Sequence, residues 1–134
     1  MTKQAVLKLS QIADVLLICS GAGVLADPDF QRMYGACKQA SVRKILGLSG
    51  PTEMTSVQRK AAAEIAKDRG IFTVTITNER LTRGIVTAVS WLGMNIKAYS
   101  WDELRTGIRQ LGLTPDLEEL VYEEALAMKG QVNW

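Results

Sequence analysis

Residues 42–58 read Val-Arg-Lys-Ile-Leu-Gly-Leu-Ser-Gly-Pro-Thr-Glu-Met-Thr-Ser-Val-Gln, and they decide the fold class. The first seven (42–48) are a short apolar run of strand length, closed by the turn Ser49-Gly50-Pro51. Thr55, followed three residues later by Gln58, is a capping box, in which the hydroxyl and the carboxamide each take up one otherwise unpaired amide. The helix it opens carries Val57, Ala61 and Ile65 on one face. Its further alanines, Ala62, Ala63 and Ala66, let it lie close to a sheet, and Gly70 ends it. The next strand, Ile-Phe-Thr-Val-Thr-Ile-Thr at 71–77, alternates and is rich in β-branched residues. Strand, helix and strand in this order make a βαβ unit, which requires a parallel pair.

The same pattern extends in both directions. Upstream, runs 5–9 and 14–19 form a hairpin linked from Ser10-Gln11 onward, and the second run is continuously apolar, as a strand covered on both faces should be. Asp27-Pro28 then supplies an N-cap and a first-turn proline. Phe30, Met33, Tyr34 and Cys37 mark the buried stripe of a helix over 28–40. Downstream, Asn78 caps a helix with the stripe Leu81, Ile85, Val89 and Leu92, and 95–99 is an edge strand. Ser100-Trp101-Asp102-Glu103 is a second capping box, opening a helix through Leu104, Ile108 and Leu111. Thr114-Pro115 starts a last helix over 115–129 with Leu117, Leu120 and Val121 inward. The order is ββαβαβαβαα: an α/β fold with a mostly parallel sheet and an N-terminal antiparallel hairpin edge. One domain spans 1–134, with a core over 5–112.

Composition narrows the chemistry. The chain has 134 residues, 47% hydrophobic and 22% charged, a net charge of +2 and no histidine. Without an imidazole, the usual general base and the commonest metal ligand are missing. Cys19 and Cys37 make neither a zinc site nor a disulfide framework, and both read as small core hydrophobes. The small net charge gives no reason to expect nucleic acid. Charge is unevenly spread, however: Asp116, Glu118, Glu119, Glu123 and Glu124 face only Lys129 in the last helix. A basic surface, from Arg59, Lys60, Arg105 and Arg109 of this chain or of a twin, is the expected counterpart. The helix then packs back on its own domain or swaps into a homodimer. The run Val15 to Ala26 mimics an export signal, but Asp14 precedes it and Ser20-Gly21-Ala22-Gly23 dilutes it, so the chain is placed in the cytoplasm without a membrane span.

Gly21-Ala22-Gly23-Val24-Leu25-Ala26 matches a dinucleotide fingerprint, but its helix starts too late, and no acidic residue ends the next strand to hold a ribose. Those glycines read as turn residues. Phosphotransfer to aspartate is excluded because the strand ends are Ser20, Ser49, Thr77 and Ser100. The carboxyl edge of the sheet remains, where open α/β sheets place ligands. It gathers Ser49, Thr52, Thr55 and Ser56 from one loop and Asn78 from the next, with Arg80 and Arg83 as donors toward an anion. Trp91 and Trp101 mark a contact surface.

Over residues 5–112 the order of elements resembles the STAS domain, the fold of anti-sigma-factor antagonists and of sulfate-transporter tails. The stretch Ile45 to Ser56 is similar to that family's strand–loop–helix signature, in which a phosphorylatable Ser or Thr opens the helix, and Arg83 to Trp91 looks like segments of small bacterial STAS-like proteins. The resemblance implies a non-enzymatic regulatory or scaffolding module that binds a protein partner and needs no cofactor or metal. Ser56 and Thr55 are its phospho-acceptor candidates. Two departures stand out: Met54 and Thr55 take the place of the family's usual acidic residue, and Val57 replaces the glycine after the acceptor. A small anionic ligand or lipid, bound at the same edge by Ser49, Thr52, Asn78, Arg80 and Arg83, is the alternative.

Overall fold

The computed structural model describes residues 3–91, 93 and 95–134, the side chains of Val89 and Trp91 excepted. In chain order the elements are β1 (Leu7–Ile12), β2 (Val15–Ser20), β3 (Gly23–Val24), α1 (Asp27–Cys37), β4 (Lys44–Ser49), β5 (Thr52–Glu53), α2 (Ser56–Asp68), β6 (Phe72–Thr77), α3 (Arg80–Trp91), β7 (Ile96–Tyr99), a 3-10 turn (Trp101–Glu103), α4 (Leu104–Arg109) and α5 (Pro115–Lys129). Five strands form the main sheet in the order β1-β2-β4-β6-β7. Only β1 is antiparallel to its neighbour, and Leu17, Leu46 and Val74 lie abreast across the three central strands. The fold class expected from the sequence is the one observed.

Side-chain alternation along each strand divides the core between the two faces of the sheet. Val15, Leu17, Cys19, Leu46, Leu48, Val74 and Ile76 meet Leu104 and Ile108 of α4 and Val121, Ala125 and Met128 of α5 on one side. On the other, Leu16 and Ile45 meet Cys37 of α1 and Ile65 of α2, while Leu7 meets Phe30 and Met33 of α1. Gly107 lets α4 press on the sheet: a Cβ there would fall 2.7 Å from the Ile76 side chain.

Several local expectations shift. The hairpin turn is Ala13-Asp14, so Ser10 and Gln11 belong to β1, and Ala13 takes a left-handed φ of 52°. Ala26, not Asp27, is the N-cap of α1. In α2, Val57 is 76% exposed and Gln58 is buried, because the capping box turns the glutamine inward, where its Nε2 donates to Leu25 O at 3.4 Å. Asn78 does not cap α3. The Thr77 hydroxyl accepts the Glu79 amide at 3.1 Å instead, and Asn78 Oδ1 accepts the Trp101 amide at 3.0 Å.

Two residues of the stripe expected for α3 face solvent. Leu81 is 79% exposed and Ile85 47%, while Val86 is buried. The helix rests mainly on the edge strand β7, so the residue aimed at that strand is covered rather than the most hydrophobic row. The expected inward position of Val89 and Leu92, and the exposure of Trp91, lie outside the described residues. On α5, Val121 is buried as expected, but Leu120 is 52% exposed, and the inward row continues through Ala125 and Met128.

That helix packs on β1, β2 and α4 of its own chain. Arg105 reaches Glu119 at 3.0 Å and Arg109 reaches Glu118 at 3.4 Å. The Arg105 bond holds the Glu119 carboxyl below its usual range. Glu123 and Glu124, for which a basic surface was expected, make no ion pair among the described residues. No helix among the described residues is long and apolar enough to cross a membrane.

Candidate functional site

The carboxyl ends of β2, β4 and β6 carry Ser20, Ser49 and Thr77, and the loops that leave them build the candidate site. The two-residue strands β3 and β5 pair in parallel just beyond β2 and β4, which holds both loops in one place. Hydroxyl groups tie these loops together. Thr52 Oγ1 lies 2.6 Å from Gly21 O and 2.9 Å from Ser20 Oγ, and Ser49 Oγ donates to Gly50 O at 2.7 Å. A threonine has one hydroxyl proton, so Thr52 gives it to one neighbour and accepts from the other. Ser49 and Thr52, expected to bind an anion or a partner, are engaged in shaping the loop.

Thr55 and Ser56 differ in the same way. Thr55 is the N-cap of α2: its Oγ1 accepts the Gln58 amide at 3.0 Å, and Gln58 Oε1 accepts the Thr55 amide at 3.0 Å. Ser56 is the first residue of a 13-residue helix and is exposed. Both residues are exposed, but the Thr55 hydroxyl is engaged in the cap whereas that of Ser56 takes no part in it.

The second loop contributes less than the sequence suggested. Asn78 is engaged with Trp101, as described. Arg80 is exposed and Arg83 half-buried, and among the described residues neither side chain is joined by a hydrogen bond or ion pair to the 49–56 loop. The amides of the glycine fingerprint are also occupied. Ala22 N–H donates to Asn133 O at 2.8 Å and Gly23 N–H to Pro51 O at 3.1 Å, which leaves neither for a pyrophosphate. Among the described residues, no group of three or more Cys, Asp or Glu side chains is placed to hold a metal ion.

Sequence reasoning missed what lies over the edge. Trp101 Nε1 donates to Ser49 O at 3.1 Å, and its ring meets Trp134 edge to face at 5.4 Å. Lys129 Nζ sits 4.5 Å from the Trp101 centroid, a cation–π contact. These partners are about thirty to fifty positions apart in the chain, and no local period marks them.

Both thiols lie within the hydrophobic clusters, and burial pushes each up to about 11, against the partial relief from Lys129 near Cys19 and Arg69 near Cys37. A thiol that ionises so late is a poor nucleophile. Neither cysteine is therefore expected to react with a thiol reagent at pH 8 in the native protein, while both react after unfolding in urea. Free thiols ionise near about 8.5. Above that value the unfolded chain binds fewer protons, so stability falls as pH rises toward about 11. A thiol titrated in the native state at pH 8 would contradict both expectations.

No protein-family model matches the chain, and no curated protein matches it. Among solved structures, it is similar to a protein from Shewanella loihica PV-4, described as an uncharacterized member of the DUF3478 family with a SpoIIAA-like fold. The two share 13% identity at a TM-score of 0.50, over 83% of this chain and 95% of that one. The chain has a SpoIIAA-like fold. This is the STAS, or anti-sigma antagonist, architecture that the order of elements suggested. In this SpoIIAA-like domain, α2 and the loop before it stand at the carboxyl edge, with Ser56 at the opening of the helix.

Proposed function

We propose that this SpoIIAA-like domain is a non-enzymatic regulatory or scaffolding module that binds a protein partner through the 49–56 loop and α2, with Ser56 as its phospho-switch. The observation that carries the reading is a contrast between two adjacent exposed residues: the Thr55 hydroxyl is held in the capping box, and the Ser56 hydroxyl in the first turn takes no part in it. A phosphate on Ser56 adds about −1.5 to −2 charge beside the unpaired amides of a helix N-terminus, where negative charge is stabilised. The same phosphate on Thr55 would remove the cap, at a cost of about 1 kcal/mol. Val57, Arg59 and Lys60 are exposed beside Ser56, so a partner resting there meets an apolar contact flanked by positive charge.

Incubation with native cell lysate and ATP is expected to add one phosphate, mapped to Ser56. Ser56→Asp is expected to change partner affinity about tenfold, equivalent to about 1.4 kcal/mol. Thr55→Asp keeps a good N-cap and is expected to leave the melting temperature close to that of the wild type. Identical partner recovery by wild type and both variants would reject the switch. Nucleotides, phosphosugars and anionic lipids are expected to leave the melting temperature unchanged. A ligand at about a hundred times its Kd would add about 2.7 kcal/mol, and a shift of that size would transfer the site to an anion-binding role.

A further inference from the structure

Beyond the end of α5, residues 131–134 run back over the carboxyl ends of β2 and β4, and the contacts there are specific. Asn133 Oδ1 accepts the Val6 amide at 2.9 Å, and Asn133 Nδ2 donates to Ala22 O at 2.7 Å. The main-chain carbonyl of Asn133 accepts the Ala22 amide at 2.8 Å. One residue thus satisfies both main-chain groups of Ala22, through its backbone and its carboxamide. Trp134 follows, its ring against Gly50 and its indole N–H donating to Lys129 O at 2.8 Å.

The floor of this slot is made by two missing side chains. A Cβ at Gly21 would lie 2.0 Å from Asn133 O, and a Cβ at Gly50 would lie 2.8 Å from the Trp134 ring. Neither glycine has a positive φ, so the backbone conformation does not call for glycine at either place. The segment above them does. The groups it satisfies are main-chain groups, which any extended peptide with a carboxamide at the right place would satisfy equally. Trp134 is itself 44% exposed and no helix or strand holds Asn133 and Trp134, whereas Val132 before them is buried in the core, so it is these two residues, not the whole segment, that can open locally.

We propose that the Gly21–Gly50 slot is a peptide-docking site, filled in cis by Asn133 and Trp134, and that its partner is an extended segment presenting an asparagine followed by a large aromatic residue. The partner's segment displaces the strap and takes over its hydrogen bonds to Val6 and Ala22. This site stands beside the Ser56 switch and does not depend on phosphorylation.

The test loosens the strap in the full chain with Asn133→Ala and Trp134→Ala together, which removes the carboxamide and the indole and leaves only the main-chain bond to Ala22, and adds the acetylated peptide Gly-Gln-Val-Asn-Trp. The expected result is saturable binding at about millimolar peptide or below, with amide shifts at Val6 and Ala22. Alanine in place of the peptide's asparagine, or Gly21→Ala in the loosened chain, abolishes it. Failure of the folded, loosened chain to bind, or binding that survives Gly21→Ala, would overturn the proposal. Hydrogen exchange on the unmodified chain provides the second measurement, and it decides the matter if the double variant does not fold. The Val6 and Ala22 amides should exchange about tenfold faster or more than those of Leu46 and Val74. Exchange of all four only through global unfolding would make the strap a permanent part of the core and end the idea. Loss of the Ser56 switch with peptide binding intact, or the reverse, separates the two proposals.

Discussion

A chain ending at Leu113 is expected to lose its cooperative thermal transition and to expose apolar surface. Val121, Ala125, Met128 and Val132 are all buried, and they cover Val15, Leu17 and Cys19 of β2 together with Leu46 and Leu48 of β4. Each fully buried valine or methionine contributes about 1.5–3 kcal/mol relative to exposure, and the sheet residues beneath would be uncovered at the same time. The sum is comparable to the whole stability of a domain, about 5–15 kcal/mol. A 15-residue helix is marginal by itself in water, so it is this packing that keeps α5 folded. Circular dichroism melting and gel filtration beside the full chain are the measurements. A truncated protein that kept its melting temperature and elution volume would show that α5 is not part of the core.

Leu46→Ala is expected to destabilise the domain by about 2–5 kcal/mol, the usual range for deleting most of a buried leucine in a core that relaxes only partly. Leu46 is fully buried in β4, between Leu17 of β2 and Val74 of β6 in register, and it faces the α4–α5 side of the sheet. In a domain of this length that corresponds to a fall in melting temperature of about 10 °C or more. Leu120→Ala is the matched control, since its side chain is half in water on the outer face of α5, and it should change stability by less than about 0.5 kcal/mol. Urea unfolding of the three proteins with a common m value would measure both effects. Equal losses at the two positions would mean that the burial pattern of α5 is misassigned.

The elements whose cause is local are legible in the order of residues. Residues 71–77 alternate, and they form β6 almost residue for residue. Thr55 and Gln58 make their reciprocal cap because both partners lie within one turn, and Phe30, Met33 and Cys37 are buried because a single helix face carries them. The alternation of strand with helix then leaves a parallel sheet as its outcome, since each crossover must return to the same edge. What could be read of the candidate site was of the same kind: that Ser56 opens a helix at the carboxyl edge is a statement about one loop and one turn.

Which face of a helix finds a neighbour depends on how the elements pack. Periodicity marks an apolar row, but burial depends on what stands opposite. Leu81 and Ile85 are therefore exposed on α3 while Val86 is covered, and Leu120 is exposed on α5 while Ala125 is buried. The division of labour between Thr52, spent on Gly21 and Ser20, and Ser56, left to solvent, likewise arises from contacts between two loops. The strap is the extreme case. Asn133 meets Val6 across 127 positions of chain, and Gly21 and Gly50 are needed for a segment that neither precedes nor follows them locally. A hydrogen bond to a main-chain group sets no pattern at the position that it reaches, so nothing in the order of residues announces it until the sheet has brought both ends of the chain to the same edge.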